Sequence, residues 1–287
     1  MIKKMEWKGF TLDFASNPII MGILDTTPDS FSDGGRYLDM DQAIAHGMEL
    51  VRSGAGILDI GGESSRPFSE EVSEDEEMER VIPVIKRLAK EIDVPISIDT
   101  VKASVAMEAI KAGASMINDI SAMENDPAMA EVASKTGVPI ILMHMKGTPK
   151  TMQVNPHYDD LMGEIMDYLE SRIKVALAAG IKKDKIILDP GIGFGKSVNH
   201  NLMLIKHLKA IKKLGYPVLM GPSRKSFIQK ILSDSKEKPV QANDLEAEQG
   251  TMAAATACLM NGAQILRVHD VKTFAPMARI TAAIINA

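Results

Sequence analysis

Short apolar runs alternate with longer helical patterns along almost the whole chain. Eight of the runs are continuously apolar and end in turn residues, a pattern typical of parallel strands that are buried on both faces. The predicted strands cover residues 19–24, 57–60, 95–98, 115–118, 139–143, 185–188, 217–220 and 265–268. The segments between them repeat with the period of a helix, and glycine closes most of them. The predicted helices cover residues 41–53, 74–91, 102–112, 126–136, 158–179, 200–214, 244–261 and 271–285.

Eight strand-then-helix units follow one another without a break in composition or a long linker. This order predicts a single (β/α)8 TIM barrel over residues 18–287, an α/β fold that commonly takes about 250 residues. An open, doubly wound sheet is the alternative, but it needs a glycine-rich fingerprint after the first strand, which residues 22–25 do not supply. Residues 1–17 are an N-terminal extension in this scheme, and residues 3–14 alternate weakly, as in a small hairpin.

Charged or amide side chains follow all eight predicted strands at the same end. A single aspartate in such a position is most simply a helix N-cap. Eight such positions on one barrel predict a site, because barrel enzymes build their active sites at the carboxyl ends of the strands. The residues at these ends are Asp25, Asp59, Glu63, Asp99, Asn118, Asp119, His144, Asp189, Ser223, Arg224, Lys225, Arg267, His269 and Asp270.

Three of these loops bring positive charge to the predicted site. The cationic groups are Arg66, the pair Arg224 and Lys225, and Arg267 with His269. Converging cations favour an anionic ligand, most often a phosphate or a diphosphate. Ser223 also opens a predicted helix, whose amino-terminal N–H groups add to the affinity for an anion. The alternative for Arg224 and Lys225 is that they only solvate the start of that helix.

The acidic and amide groups suggest a second property of the ligand. Carboxylate and amide side chains such as Asp99, Asn118 and Asp189 pair with the ring N–H and amino edge of a planar nitrogen heterocycle. Ordinary N-capping remains open for Asp189, which precedes Pro190.

Two features resemble familiar motifs but fail on spacing. Residues 195–197 read Gly-Lys-Ser, yet Pro190 stands where a phosphate-binding Walker A loop needs glycine. We therefore expect residues 191–197 to form a flexible lip, with Phe194 as an apolar contact. His144 has no second histidine at metal-ligand spacing, so a hydrogen-bonded structural role is favoured.

Composition narrows the class of protein. The chain has 287 residues, of which 45% are hydrophobic and 25% charged, as in a soluble globular protein. Its net charge of -5 argues against a nucleic-acid partner. No apolar run approaches the roughly 20 residues of a membrane span, and the amino terminus lacks the apolar core of a signal peptide. With one cysteine, Cys258, an intramolecular disulfide is excluded, and we expect a cytoplasmic protein.

Ten motifs together resemble the dihydropteroate synthase family. They are MGIL at 21–24, TPDSFSDGG at 27–35, DIGGESSRP at 59–67, SIDT at 97–100, INDI at 117–120, LMHM at 142–145, GTPKTMQ at 147–153, LDPGIGFGK at 188–196, SRKS at 223–226 and RVHD at 267–270. The resemblance implies a TIM barrel that condenses 6-hydroxymethyl-7,8-dihydropterin diphosphate with 4-aminobenzoate, releasing diphosphate and forming 7,8-dihydropteroate. It also implies sulfonamides as inhibitors and a homodimer.

The resemblance assigns roles by motif position. The pterin would be held by Asp99, Asn118, Asp189 and Lys225. The diphosphate or its neighbours would be held by Ser65, Arg66, Arg267 and His269. The 4-aminobenzoate pocket would be shaped by Phe31, Pro67, Phe194 and Ser223. The catalytic set would be Asp99, Lys225, Arg267 and His269, with Mg2+ bound at Asp25.

The chain departs from the family pattern in its first two loops. Asp25 stands where the family has the metal-binding asparagine, which predicts an altered response to Mg2+. Phe68 replaces a glycine, which adds bulk beside the predicted 4-aminobenzoate pocket. Two alternatives remain open from the sequence: a pterin-binding methyltransferase, and a pterin-binding module without catalysis.

Overall fold

The computed structural model describes residues 2–26, 36–64, 69–234 and 236–287, without the side chains of residues 36–39. This part of the chain forms an eight-stranded parallel sheet surrounded by helices, and a separate two-stranded hairpin. The hairpin strands are β1 (Lys4–Trp7) and β2 (Phe10–Asp13). The barrel strands are β3 (Ile19–Asp25), β4 (Ile57–Gly61), β5 (Ile96–Asp99), β6 (Met116–Asp119), β7 (Ile140–Met143), β8 (Ile186–Asp189), β9 (Leu219–Met220) and β10 (Ile265–Val268).

The helices alternate with these strands along the chain. They are α1 (Arg36–Arg52), α2 (Glu74–Leu88), α3 (Ala103–Ala112), α4 (Ala128–Thr136), α5 (Leu161–Ala178), α6 (Val198–Lys206), α7 (Lys209–Lys212), α8 (Ser226–Leu232), α9 (Leu245–Met260) and α10 (Val271–Asn286). None of the helices in the described ranges is long and apolar enough to cross a membrane.

The strand order shows that the sheet is a barrel. Neighbouring strands run β8-β7-β6-β5-β4-β3-β10-β9, all in parallel. A parallel bridge between Leu188 and Val218 joins β8 to the residue before β9 and brings the two edges together. The prediction of a (β/α)8 barrel is confirmed, and the open doubly wound alternative is wrong.

Each strand sends alternate side chains outward and inward, because successive residues in a strand point to opposite faces. Leu58, Ile98 and Leu142 pack outward in the large core beneath the helices. The inward residues near the amino ends of the strands form a second apolar cluster inside the barrel. Its strand members are Met21, Ile57, Met116, Ile141, Ile187, Leu219 and Ile265.

The amino-terminal hairpin closes the bottom of the barrel. Its strands pair antiparallel, and Met5, Trp7 and Leu12 belong to the same cluster as the inward barrel residues. The indole Nε1 of Trp7 donates a 2.7 Å hydrogen bond to the carbonyl of Ser115, just before β6. The predicted hairpin is confirmed, whereas the boundary at residue 17 stays a prediction.

Two helices differ from the predicted set. The single helix expected over residues 200–214 is divided at His207, whose φ of -104° and ψ of 14° leave the helical region. This break lets Leu208 and Ile211 both become fully buried. The helix predicted after Ser223 exists as α8, but it begins at Ser226 with Lys225 as its N-cap residue.

Candidate active site

A polar layer lies directly above the apolar layer inside the barrel. Along four strands, an apolar inward residue is followed two positions later by a polar one, which the two-residue period of a strand places on the same inner face. These pairs are Ile57 and Asp59, Met116 and Asn118, Ile187 and Asp189, and Ile265 and Arg267. The polar layer therefore stands at the carboxyl ends of the strands, where the sequence predicted a site.

Arg267 joins two carboxylates across the barrel interior. Its Nε donates to Oδ2 of Asp59 at 2.7 Å, and its Nη2 donates to Oδ2 of Asp99 at 2.7 Å. The Arg267 and Asp99 side chains are 21% and 14% exposed, whereas Asp59 is fully buried. Arg267 and Asp99 thus face the mouth of the barrel, and Asp59 lies beneath them.

Asn118 completes this cluster from the opposite side. Its Nδ2 donates to the same Oδ2 of Asp59 at 3.0 Å. The other oxygen, Oδ1, has no hydrogen-bond partner among the described residues. From the sequence, Asp59 was placed among the strand-end residues but was assigned no role in binding or catalysis. Its importance comes from contacts with two residues that are far away along the chain.

Burial and neighbouring charges shift the pKa of Asp99. Burial raises the pKa of this carboxyl to about 8, the neighbouring Asp59 and Asp25 add to the rise, and Arg267 opposes it. A carboxyl with such a pKa exchanges its proton close to neutral pH.

Asp189, Lys225 and Phe194 form a second group at the mouth. Oδ1 of Asp189 accepts a 2.7 Å hydrogen bond from the amide of Gly191, and burial raises the pKa of Asp189 to about 6. Burial lowers the pKa of Lys225 to about 8, with the charge of Arg267 acting in the same direction and Asp189 opposing. Nζ of Lys225 lies 3.9 Å from the centre of the Phe194 ring, a cation–π contact.

The loop after β8 is tied down, in contrast to the flexible lip that we expected. Nζ of the buried Lys196 donates to the carbonyls of Gly191 at 2.9 Å and Phe194 at 3.0 Å, and lies 3.0 Å from Nδ1 of His144. Gly191 has a φ of 69°, and a Cβ there would lie 1.8 Å from the carbonyl oxygen of His144. Burial lowers the pKa of His144 to about 3, so its neutral ring serves as an acceptor in a structural contact.

Ser223 and His269 join the last two loops. Oγ of Ser223 lies 2.9 Å from Nδ1 of His269, and the amide of His269 donates back to Oγ at 3.4 Å. Arg224, by contrast, is exposed, with a φ of 57° and its amide donating to Oγ1 of Thr251 at 3.3 Å. The two cations predicted together after strand seven therefore differ in exposure, because Lys225 is half-buried beside Phe194.

Asp25 ends β3 with Gly61 opposite it in the neighbouring strand. Its charge acts on both Asp99 and Arg267. Within the described ranges, His, Cys, Asp and Glu side chains form no group of three or more that could hold a metal ion alone. The predicted residues Phe31, Ser65, Arg66 and Pro67, and the unusual Phe68, lie outside the described residues.

The chain is similar to known proteins along almost its whole length. A family described as pterin binding enzyme matches residues 21–269. Dihydropteroate synthase of Bacillus subtilis is 48% identical over 279 residues, which cover 97% of this chain and 93% of that protein. The crystal structure of Yersinia pestis dihydropteroate synthase with a sulfonamide drug matches with a TM-score of 0.91 and 46% identity, covering 99% and 100% of the two chains. Xanthomonas albilineans dihydropteroate synthase in complex with 7,8-dihydropteroate matches with a TM-score of 0.85 and 39% identity, covering 98% of each chain.

Proposed function

Because the chain belongs to the dihydropteroate synthases of the pterin-binding enzyme family, we propose that its barrel mouth condenses 6-hydroxymethyl-7,8-dihydropterin diphosphate with 4-aminobenzoate. The products are 7,8-dihydropteroate and diphosphate. The observation that carries this proposal is the buried polar layer, in which carboxylate and amide groups stand beside Arg267 and Lys225. Such a layer suits a ligand that combines a nitrogen heterocycle with an anion.

The heterocycle would be held by Asp99, Asn118, Asp189 and Lys225. Asp99 and Asp189 offer acceptors to ring N–H and amino groups, while Asn118 and Lys225 supply the remaining polar contacts. All four lie in or beside a desolvated layer, where a ligand without the matching edge would leave buried groups unpaired. This environment supports selectivity for the pterin.

The diphosphate is the leaving group. In the reaction, the bond between the pterin methylene carbon and the diphosphate oxygen breaks, and a bond from that carbon to the amine nitrogen forms. The amine then releases its proton to solvent. Arg267, Lys225 and the Ser223–His269 pair would stabilise the charge on the departing diphosphate. In its ionised form, Asp99 would offset positive charge on the methylene, so no strong general base is required. Ser65 and Arg66 join this set by motif position.

The 4-aminobenzoate pocket would include Phe194 and Ser223, with Phe31 and Pro67 assigned by motif position. Phe194 is 8% exposed and its ring faces the Lys225 ammonium, which places apolar and cationic groups side by side. This pairing suits an aromatic ring that carries a carboxylate. Sulfonamides would compete for the same pocket, as the sulfonamide complex of the Yersinia pestis relative suggests.

Mg2+ would be held at Asp25. One carboxylate at the mouth fits this ion, which usually keeps water and binds through one or two carboxylates together with substrate phosphates. The ion would supply charge neutralisation at the diphosphate. Since the family has asparagine here, we expect turnover by the wild type to saturate at a lower Mg2+ concentration than turnover by Asp25→Asn. Superimposable Mg2+ curves for the two proteins would refute this assignment.

Assembly and location are also proposed. The outer faces of α9 and α10 expose Met260, Ile280 and Ile284, and the small-residue run 253–257 lies on α9. Apolar exposure of this kind supports a homodimer through these helices. Cys258 is buried and forms no disulfide, which suits the cytoplasm.

A coupled diphosphate-release assay tests the activity. We expect release only when both substrates are present, in a one-to-one ratio with dihydropteroate. A pterin-binding module would bind the pterin without releasing diphosphate, and a methyltransferase would give no dihydropteroate. Either result from folded protein would overturn the proposal.

A further inference from the structure

Asp59 accepts hydrogen bonds from Arg267 and Asn118, two residues of the proposed pterin diphosphate site. We infer that Asp59 is a positioning residue for the reaction, which fixes the Arg267 guanidinium and the Asn118 amide in the orientations that receive the pterin diphosphate. This inference rests on the proposed function. Asp59 is fully buried beneath both partners, so it acts through them.

One oxygen of Asp59 serves two elements of the barrel. Oδ2 accepts from Arg267 on β10 at 2.7 Å and from Asn118 on β6 at 3.0 Å. Neither strand is a neighbour of β4, because β3 and β5 lie between them. The two hydrogen bonds therefore cross the barrel interior and link its opposite sides through a single atom.

The chemistry of a carboxylate makes this link directional. Because an ionised carboxylate only accepts hydrogen bonds, Asp59 holds Asn118 by its Nδ2 end. The other end of the amide, Oδ1 of Asn118, can then accept a hydrogen bond from a ligand N–H. On Arg267, Asp59 occupies the Nε donor, and Asp99 takes one donor of Nη2. Nη1 makes no hydrogen bond to the described residues, so it remains available for an anion.

A second buried carboxylate, whose side-chain hydrogen bonds all lie within its own loop, is present in the next strand but one. Asp119 at the end of β6 is also fully buried. It accepts from the amides of Ser121 at 2.8 Å and Met123 at 2.7 Å, and from Oγ of Ser121 at 2.7 Å. Asp119 thus shapes its own loop, and among the described residues its side chain makes no hydrogen bond to Arg267 or Asn118, which makes Asp119→Asn the matched control.

The kinetic test compares Asp59→Asn with Asp119→Asn, with each protein checked for folding by circular dichroism. An asparagine at 59 loses the charge that holds Arg267 and allows the Asn118 amide to turn. We expect kcat/KM for the pterin diphosphate to fall roughly ten- to hundredfold, as for a small misplacement of reacting groups. KM for 4-aminobenzoate should stay unchanged. In Asp119→Asn both constants should remain near the wild-type values, even if its stability falls.

The pH profile supplies a readout that a structural role would not move. Burial raises the pKa of Asp99, the carboxylates Asp59, Asp25 and Glu77 add to that rise, and Arg267 opposes it. Because the proposed reaction uses ionised Asp99, protonation of this carboxyl should set the acid limb of kcat/KM. Removing the Asp59 charge lowers the pKa of Asp99, so the acid limb should move to lower pH in Asp59→Asn. The acid limb of Asp119→Asn should stay in place.

The inference is overturned if Asp59→Asn and Asp119→Asn show the same kcat/KM and the same acid limb. If Asp59→Asn does not fold, Asp59→Ser, which also removes the carboxylate, is measured in its place against the same criteria. The wild-type assay separates the proposed function from the proposed role of Asp59. An inactive wild type would refute the proposed function, whereas an active wild type with matching variants would refute the role of Asp59 alone.

Discussion

The guanidinium of Arg267 connects two carboxylates inside the barrel, and its removal gives a measurable prediction for stability. In Arg267→Met the apolar stem of the side chain is largely kept, while the charge facing Asp59 and Asp99 is lost. Breaking a buried ion pair by removing one partner costs about 3–5 kcal/mol, because the other charge stays buried without compensation. Burial raises the pKa of Asp99 to about 8, so this carboxyl can take up a proton near neutral pH and thereby lose its uncompensated charge. The fully buried Asp59 carries the remaining cost.

A double-mutant cycle isolates that cost. In the variant that combines Arg267→Met with Asp59→Asn, the uncompensated charge is gone. We expect its loss of unfolding free energy to be smaller than the sum of the two single losses by about 2 kcal/mol. Urea titrations at pH 7, followed by circular dichroism, measure all four proteins.

The control cycle uses Arg172, which is also largely buried but donates at 2.7 Å to the carbonyl of Ala122 on the outside of the barrel. Arg172→Met combined with Asp59→Asn should be additive within about 0.5 kcal/mol, because the two residues share no partner. Additivity in the Arg267 cycle as well would refute the account of the buried cluster.

Two further predictions concern other parts of the barrel. Since the pKa of His144 is lowered to about 3 in the folded protein, the unfolded chain binds the extra proton as pH falls below about 6.5, and stability decreases with it. This group should cost about 2 kcal/mol between pH 7 and pH 5, a loss that His144→Asn should largely abolish in urea titrations at both pH values; equal losses would contradict the assignment. At the bottom of the barrel, Trp7→Phe removes the hydrogen bond to Ser115 and should lower the unfolding free energy by about 1–2 kcal/mol. Its kcat/KM, measured well below the melting temperature, should equal that of the wild type, and a large fall would show that the hairpin affects the site.

The periodicity of the chain predicts the barrel well, because parallel strands buried on both faces leave a strong local signal. The predicted strand over residues 57–60 lies within the observed Ile57–Gly61, and the one over 265–268 coincides with Ile265–Val268. The division at His207 was missed because both halves keep the same helical pattern. The function of the hairpin as a plug was also missed, since it depends on a contact between Trp7 and Ser115.

The positions of the candidate site residues could be predicted in part for a similar reason. Asp99, Asn118, Asp189 and Arg267 occupy strand ends, and strand ends can be read from the sequence. Asp59 occupies one too, but its role depends on Arg267, which lies 208 positions away along the chain. In the sequence, Lys196 belongs to a segment that resembles a phosphate-binding loop but does not have its spacing. In the structure, Lys196 anchors the loop after β8. Local patterns locate such residues, and only the closed barrel shows what they contact.

Two aspartates at opposite ends of β8 test most directly whether the carboxyl end of the barrel is the active site. Asp189 ends the strand within the polar layer, whereas Asp184 lies in the turn before the strand, paired at 2.6 Å with Lys185. The measurement is kcat/KM for the pterin diphosphate, by dihydropteroate formation, in Asp189→Asn and Asp184→Asn. Loss of a charged hydrogen bond to the ligand predicts a fall of roughly 30- to 100-fold for Asp189→Asn and none for Asp184→Asn. Wild-type activity in Asp189→Asn, or an equal fall in both variants, would contradict the placement of the site.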